Sequence, residues 1–381
     1  MTYYDRNSNG GVRWYDFVAV FWLMLATWII GQMAFTSPFI DMLADLDPET
    51  HAQLMEILGS PDIGVADAAM MGVAFILLLI GPLMAAIGLG VHYLGTKGRP
   101  SLMTGLIGAF LSFAAGGLFI AGSSGLSEIN PLILSVIGLS PVAYLLMLLT
   151  FPAALAGLYL GWKIVHKLPL TALHTAWDRF RWKRAAQAFL MFWAILGLFT
   201  IVTSQFSDTP PALQFDAERF AVYALISLIF LPIQSATEEI VVRGYMNKGL
   251  IHMLGNKWVV FVITSGLFTA LHLGNPEALS GAESGNLAIV MSGYFFFGFA
   301  ACLMVLIDDG LESAIGFHAA NNTFAAIFVN YEGSVLPTPS IWIADYDANA
   351  GAIGTIVVLA ISLALLYWTR TPRVRHDPTV I

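Results

Sequence analysis

The chain has 381 residues, 57% of them hydrophobic and 11% charged, with a formal net charge of −8 at pH 7 and a mean hydropathy of +0.75. Soluble globular domains carry about 25% charged residues, so a water-exposed surface is excluded for most of this chain. The single cysteine, Cys302, excludes an intrachain disulfide, and its place inside an apolar block reads as a buried structural thiol.

Taken in chain order, residues 1–14 are polar and include Arg6 and Arg13. The apolar run Phe17–Phe35 that follows is too long for a signal-peptide core and lacks a small-residue cleavage site, so it reads as an uncleaved first span. Windows of roughly 19 residues then place about ten spans, near 15–36, 67–95, 102–122, 136–163, 185–205, 219–245, 257–275, 286–307, 311–330 and 350–369. The expected fold class is all-α, a polytopic transmembrane helical bundle of about ten spans.

The loops alternate in charge. Arg6 and Arg13, then Lys97 and Arg99, then Lys163–Arg184, then Lys248 and Lys257, then Arg370, Arg373 and Arg375 fall on one side. Asp41–Asp67, Glu128, Asp208–Glu218, Glu277 and Glu283, and Glu332–Asp347 fall on the other. Because Lys and Arg are retained inside, this phase puts both termini in the cytoplasm. Asp308–Asp309 is the one inside connection without a positive charge.

The segment Lys163–Arg184 also carries Trp162, Trp177, Phe180 and Trp182 at its flanks and within it. It fits a plain inside loop or an amphipathic helix on an anionic leaflet. It divides the chain into an N-terminal region of about four spans (1–184), a C-terminal core (185–370) and a tail (371–381).

Ionisable groups inside a span cost roughly 2.5–3.5 kcal/mol each on the insertion scale, so they mark function by default. The core carries a set of them. The sixth span contains Pro232, which should kink its helix, followed by Glu238, Glu239, Arg243 and Gly244. Glu239 and Arg243 are one turn apart and can pair. Glu238, about 100° round the helix, has no such partner, and a partly desolvated carboxylate beside a like charge suits general-base work. The seventh span carries Phe268 and His272. Gly255 lies 17 residues from both Glu238 and His272, so a helical hairpin turning there brings carboxylate and imidazole to one depth. The ninth span adds His318 and Asn322, four apart on one face. Singly, these residues fit an ion pair, a packed polar group or interhelical glue; together they define a candidate catalytic set. Asn321 and Asn275 are supporting candidates, while His166, His174, His252 and His376 fall in loops or tails and are set aside.

The motifs Glu238-Glu239-Ile-Val-Val-Arg243, Phe268-Thr-Ala-Leu-His272 and His318-Ala-Ala-Asn-Asn322, in that order on membrane helices, resemble those of the CPBP family of intramembrane proteases. That family includes the CAAX prenyl endopeptidases and bacteriocin-processing relatives. The resemblance covers roughly residues 185–370 and leaves the first four spans unexplained. Val242 departs from the pattern, since many relatives have an aromatic residue before Arg-Gly. The resemblance implies an intramembrane endopeptidase in which Glu238 activates water, His272 helps hold it, His318 and Asn322 stabilise the oxyanion, and Arg243 locks Glu239. No cofactor is certain: Glu238, His272 and His318 could hold Zn²⁺ with an open water position. A metal-free mechanism fits the same residues, and the lack of a His-Glu-x-x-His helix leans toward it. The expected setting is the bacterial inner membrane. The expected partners are membrane lipid and a membrane-embedded or lipid-proximal peptide, with no nucleic acid and with the oligomeric state open. A transporter or proton relay built on the same charges would call for inverted repeats, which the sequence lacks. An idle immunity or scaffold protein is the third reading.

Overall fold

The computed structural model describes residues 3–4, 13–59, 126–331 and 333–371. The expected spans 67–95 and 102–122 lie outside the described residues. The N-terminal side contains α1 (Trp14–Thr36), α2 (Phe39–Leu46), α3 (Pro48–Gly59), α4 (Leu126–Leu139) and α5 (Pro141–Gly161). Next come a π-helical turn at Trp162–His166, a short α6 (Thr171–His174) and α7 (Trp182–Ser204). Then follow β1 (Ala212–Leu213), α8 (Ala217–Glu239), a second π-helical segment at Ile240–Met246, and α9 (Asn247–Leu254). The chain closes with α10 (Lys257–Ala270), α11 (Pro276–Glu283), α12 (Leu287–Asp308), α13 (Glu312–Ile327), β2 (Val329–Tyr331), β3 (Trp342–Ala344) and α14 (Ala348–Trp368).

Six helical stretches among the described residues are long and apolar enough to cross a bilayer: Trp14–Leu46, Pro141–His166, Trp182–Ser204, Ala217–Leu254, Leu287–Asp308 and Gly351–Trp368. Two of the expected spans are shorter. The seventh stops at Ala270, after 14 residues, and the ninth has 16, against about 20 needed for a full crossing. Helix α10 packs on α12 and α9, and α13 packs on α7, α8 and α12. The expected span 136–163 is two helices. Ser140 ends one and caps the next, accepting from Ala143 N with Pro141 at the first helical position.

Local chemistry sets the core's geometry. Asp216 caps α8 by accepting from Glu218 N and Arg219 N. At the other end of this 38-residue stretch, Gly255 takes φ +69°, a left-handed turn a side chain would strain. Asn256 then caps α10 through Trp258 N and Val259 N. The expected hairpin therefore turns at Gly255. Helix α8 runs on through Pro232, and the departure from α geometry comes at Ile240–Met246. Helix α13 packs on α7 and α8. At Gly316 the contact with α7 is so close that an added Cβ would lie 2.2 Å from Ala185 O.

The basic stretch between α5 and α7 is folded into the end of the bundle, which corrects the alternative of a surface amphipathic helix. Trp162 is fully buried, and Trp177 Nε1 donates to Asp308 O. Arg181 forks onto Glu312, with Nε to Oε1 at 3.1 Å and Nη2 to Oε2 at 3.0 Å. Arg184 forks onto Asp308, with Nε to Oδ2 at 2.8 Å and Nη2 to Oδ1 at 3.0 Å. It also donates to Leu366 O and Thr369 O. The Asp308 carboxylate, in a turn that lacks positive charge of its own, is thus met by Arg184 from the first turn of α7. Lys248 is not a loop residue either: it is buried, with Nζ donating to Tyr3 O and lying 3.6 Å from the Tyr3 ring centre. His166 and His174 are packed rather than loose. His166 bonds Tyr245 Oη at 2.9 Å, and His174 bonds Tyr159 Oη at 2.7 Å. Cys302 is buried as expected.

At the end of the bundle opposite this basic plate, β3 pairs antiparallel with β1 and parallel with β2, giving the order β1-β3-β2.

Candidate active site

Four elements bring the site together: the C-terminal end of α8 with its π-helical extension, the turn after α10, the middle of α12, and α13. A π-helical segment widens the helix and often marks a functional position. Here it begins immediately after Glu239.

The two glutamates separate as their spacing predicts. Glu239 is fully buried and its Oε1 takes two donors, Arg243 Nη1 at 3.1 Å and His318 Nδ1 at 2.7 Å. The Arg243 guanidinium also lies 4.4 Å from the centre of the Phe268 ring, which adds a cation–π contact in a dry setting. Glu238 is part-exposed, at 22% of its side chain, and its Oε2 stands 3.7 Å from His318 Nε2. That is beyond a direct hydrogen bond.

Both histidines have one ring nitrogen assigned by its partner. A carbonyl or carboxylate oxygen only accepts, so Nδ1 carries the hydrogen in each. His272 Nδ1 donates to Phe268 O at 2.7 Å, and His318 Nδ1 donates to Glu239. In the neutral rings both Nε2 atoms are therefore acceptors. Phe268 lies between the two imidazoles, its ring centre 4.5 Å from His272 and 6.1 Å from His318. Asn322 Nδ2 donates to Gln234 Oε1 at 2.9 Å and, more loosely, to Ser235 Oγ at 3.4 Å. Asn321 Nδ2 donates to Asn322 Oδ1 at 3.2 Å. Val242 is buried in the π-helical segment.

All six expected residues, Glu238, Glu239, Arg243, His272, His318 and Asn322, thus lie in one cluster. Sequence reasoning missed Gln234. It is buried, its Nε2 donates to Glu238 Oε1, and its Oε1 accepts from Asn322, so it bridges the two. Its position one turn before Glu238 was the available signal. Glu277 was also missed, having been counted only as loop charge. Among the described residues no group of three or more His, Cys, Asp or Glu side chains stands as a metal-ligand set. Glu238, His272 and His318 as placed do not form a closed three-ligand shell.

The class is that of an apolar helical bundle, with six helices long enough to cross a membrane among the described residues, holding a buried and part-buried Glu-Glu-Arg, His and His-Asn cluster. Residues 219–324, a segment that spans every residue of the cluster, match the family model described as "Type II CAAX prenyl endopeptidase Rce1-like". The chain is also 28% identical over 183 residues to the protein YyaK of Bacillus subtilis (strain 168), which is described as uncharacterized. That match covers 48% of this chain and 60% of the relative. No solved structure matches.

Proposed function

We propose that this protein is an intramembrane endopeptidase that hydrolyses a peptide bond in a membrane-associated protein or peptide with water activated by Glu238. The observation that carries the reading is the division of labour between the glutamates. Glu239 is committed to Arg243 and His318, while Glu238 beside it keeps a carboxylate oxygen facing His318 across 3.7 Å. Water held by Glu238 and His272 Nε2 gives a proton to Glu238 as its oxygen adds to the scissile carbonyl carbon. The oxyanion takes hydrogen bonds from the Asn322 amide and from His318. Donation from His318 Nε2 requires the imidazolium form, whose charge Glu239 balances across Nδ1, as a carboxylate does in hydrolytic triads. The proton on Glu238 then passes to the departing amine as the C–N bond breaks. Asn322 spends one N–H firmly on Gln234 and shares the other loosely with Ser235, so the second is free to turn to the oxyanion. Fixed donors of this kind supply a large share of catalysis.

The same proposal puts the chain in the bacterial plasma membrane with both termini in the cytoplasm, about ten spans in all, and 185–370 as the peptidase core. The description of the matched family makes a protein with a prenylated C-terminus the first substrate class to try.

The test compares cells carrying wild type, Glu238→Ala and His272→Ala by mass spectrometry of peptides from small membrane proteins. Products lost in both variants, with their precursors accumulating, support the peptidase. Unchanged profiles across the three strains, with each variant folded and the precursors expressed, refute it.

A further inference from the structure

Glu277 lies in the first turn of α11, outside the three motifs, yet only 4% of it is exposed. A buried carboxylate is costly unless it is paired, and among the described residues no cation reaches it. Its neighbours are neutral. Tyr294 Oη donates to Oε1, and Asn275 Nδ2 reaches Oε1 at 3.4 Å and Tyr294 Oη at 3.0 Å. The Tyr331 hydroxyl also stands beside the carboxylate, while Oε2 makes no hydrogen bond of ordinary geometry among the described residues. Packing alone would be served as well by an apolar side chain, and at lower cost. What the charge adds is a strong, oriented bond to the Tyr294 hydroxyl.

That bond leads to the site. The Tyr294 ring stacks on the His272 imidazole, with centres 4.3 Å apart and planes 29° apart. Phe268 flanks the same imidazole at 4.5 Å, and the Phe268 carbonyl holds Nδ1. One hydrogen bond leaves a ring free to swing about its axis, and a stacked face removes that freedom. With Asn275 donating to the Tyr294 oxygen and Glu277 accepting its hydrogen, the phenol is held at its tip by two bonds and at its face by His272.

We infer that Glu277, acting through Tyr294 with Asn275, is a positioning residue that fixes the plane of His272 and so aims its Nε2 at the reacting water. The role in turnover rests on the peptidase reading; the mechanical link does not.

The experiment uses full-length protein in detergent micelles with 15N-labelled histidine. The His272 Nδ1–H signal is identified by its loss in His272→Ala. In Tyr294→Phe, which keeps the ring but removes the bonded hydroxyl, and in Glu277→Leu, the exchange of this proton with solvent speeds up by ten-fold or more, on the order expected when a locally ordered group is released. Glu277→Gln keeps an acceptor for the phenol and restores slow exchange. In the same samples, turnover of the precursor that accumulates in Glu238→Ala cells falls about ten- to hundred-fold in kcat with KM unchanged, the size of effect that follows from a misplaced group. The double variant is no worse than the poorer single one, because both changes cut one strut. If Glu277→Leu does not fold, Tyr294→Phe decides alone. An unchanged His272 signal in folded Tyr294→Phe overturns the inference whether or not the protein is a peptidase. Faster exchange in a protein that cleaves nothing would retain the strut and refute the peptidase instead.

Discussion

The pair Glu239–Arg243 offers the sharpest energetic test, because both side chains are fully buried and only 3.1 Å apart. At an effective dielectric near 20, unit charges at that distance attract by about 5 kcal/mol. Removing one partner strands the other, at a cost of about 3–5 kcal/mol. Glu239→Gln leaves Arg243 with the Phe268 ring as compensation and also takes the carboxylate from His318. Arg243→Met leaves Glu239 with His318 only. Each single variant should therefore lose several kcal/mol, and the double variant Glu239→Gln/Arg243→Met, with no stranded charge, should lose clearly less than their sum. The assay is equilibrium unfolding in mixed micelles, followed by the fluorescence of buried tryptophans such as Trp162. Strict additivity, with a coupling below about 0.5 kcal/mol, would show that the two charges do not depend on each other, and the division of labour assigned to the glutamates would lose its basis.

Other expectations follow from named contacts. Gln234→Leu removes the donor on Glu238 and the acceptor for Asn322; at about 1.5–3 kcal/mol for a hydrogen bond to a charged group, turnover should fall about ten- to hundred-fold, measured on the same precursor. Gly316→Val drives a side chain into Ala185 O at 2.2 Å and should cost about 1–3 kcal/mol, read as a lower midpoint with α7 and α13 loosened in hydrogen exchange. Burial pushes the His174 imidazole below its ordinary value. The unfolded chain then binds the extra proton first, so stability should fall as pH drops through about 6.5; unfolding from pH 7 to pH 5 should show a smaller loss in His174→Gln than in wild type.

The motif spacings were legible because helix periodicity makes them so. Glu239 and Arg243 four apart, His318 and Asn322 four apart, and equal arms about Gly255 translate directly into shared faces and shared depth. The short helices α10 and α13 were overextended in the sequence reading because apolar residues continue past their ends; hydropathy reports composition, whereas His272 and Asn275 turn the chain through backbone bonds. The π-helical segment had no sequence signal, since Ile-Val-Val-Arg fits an α-helix equally well. Gln234 was passed over because a neutral amide does not stand out as a charge in a span does. Glu277, Lys248, Arg181 and Arg184 were read as loop charge because sequence alone does not show which polar loops fold inward. Their burial depends on partners more than a hundred residues away for three of them, such as Tyr3 for Lys248 and Glu312 for Arg181.

The two arginine forks have a mechanical meaning. Arg184 alone joins the start of α7 to the end of α12 and the last turn of α14, while Arg181 joins the same loop to the start of α13. Four helices are thus riveted at one end by charge-assisted bonds, while at the other end of α7, α13 and α14 the adjoining strands are only two or three residues long. Cutting Arg184 would therefore loosen three helices at once, although its partners lie up to 185 residues away in the sequence.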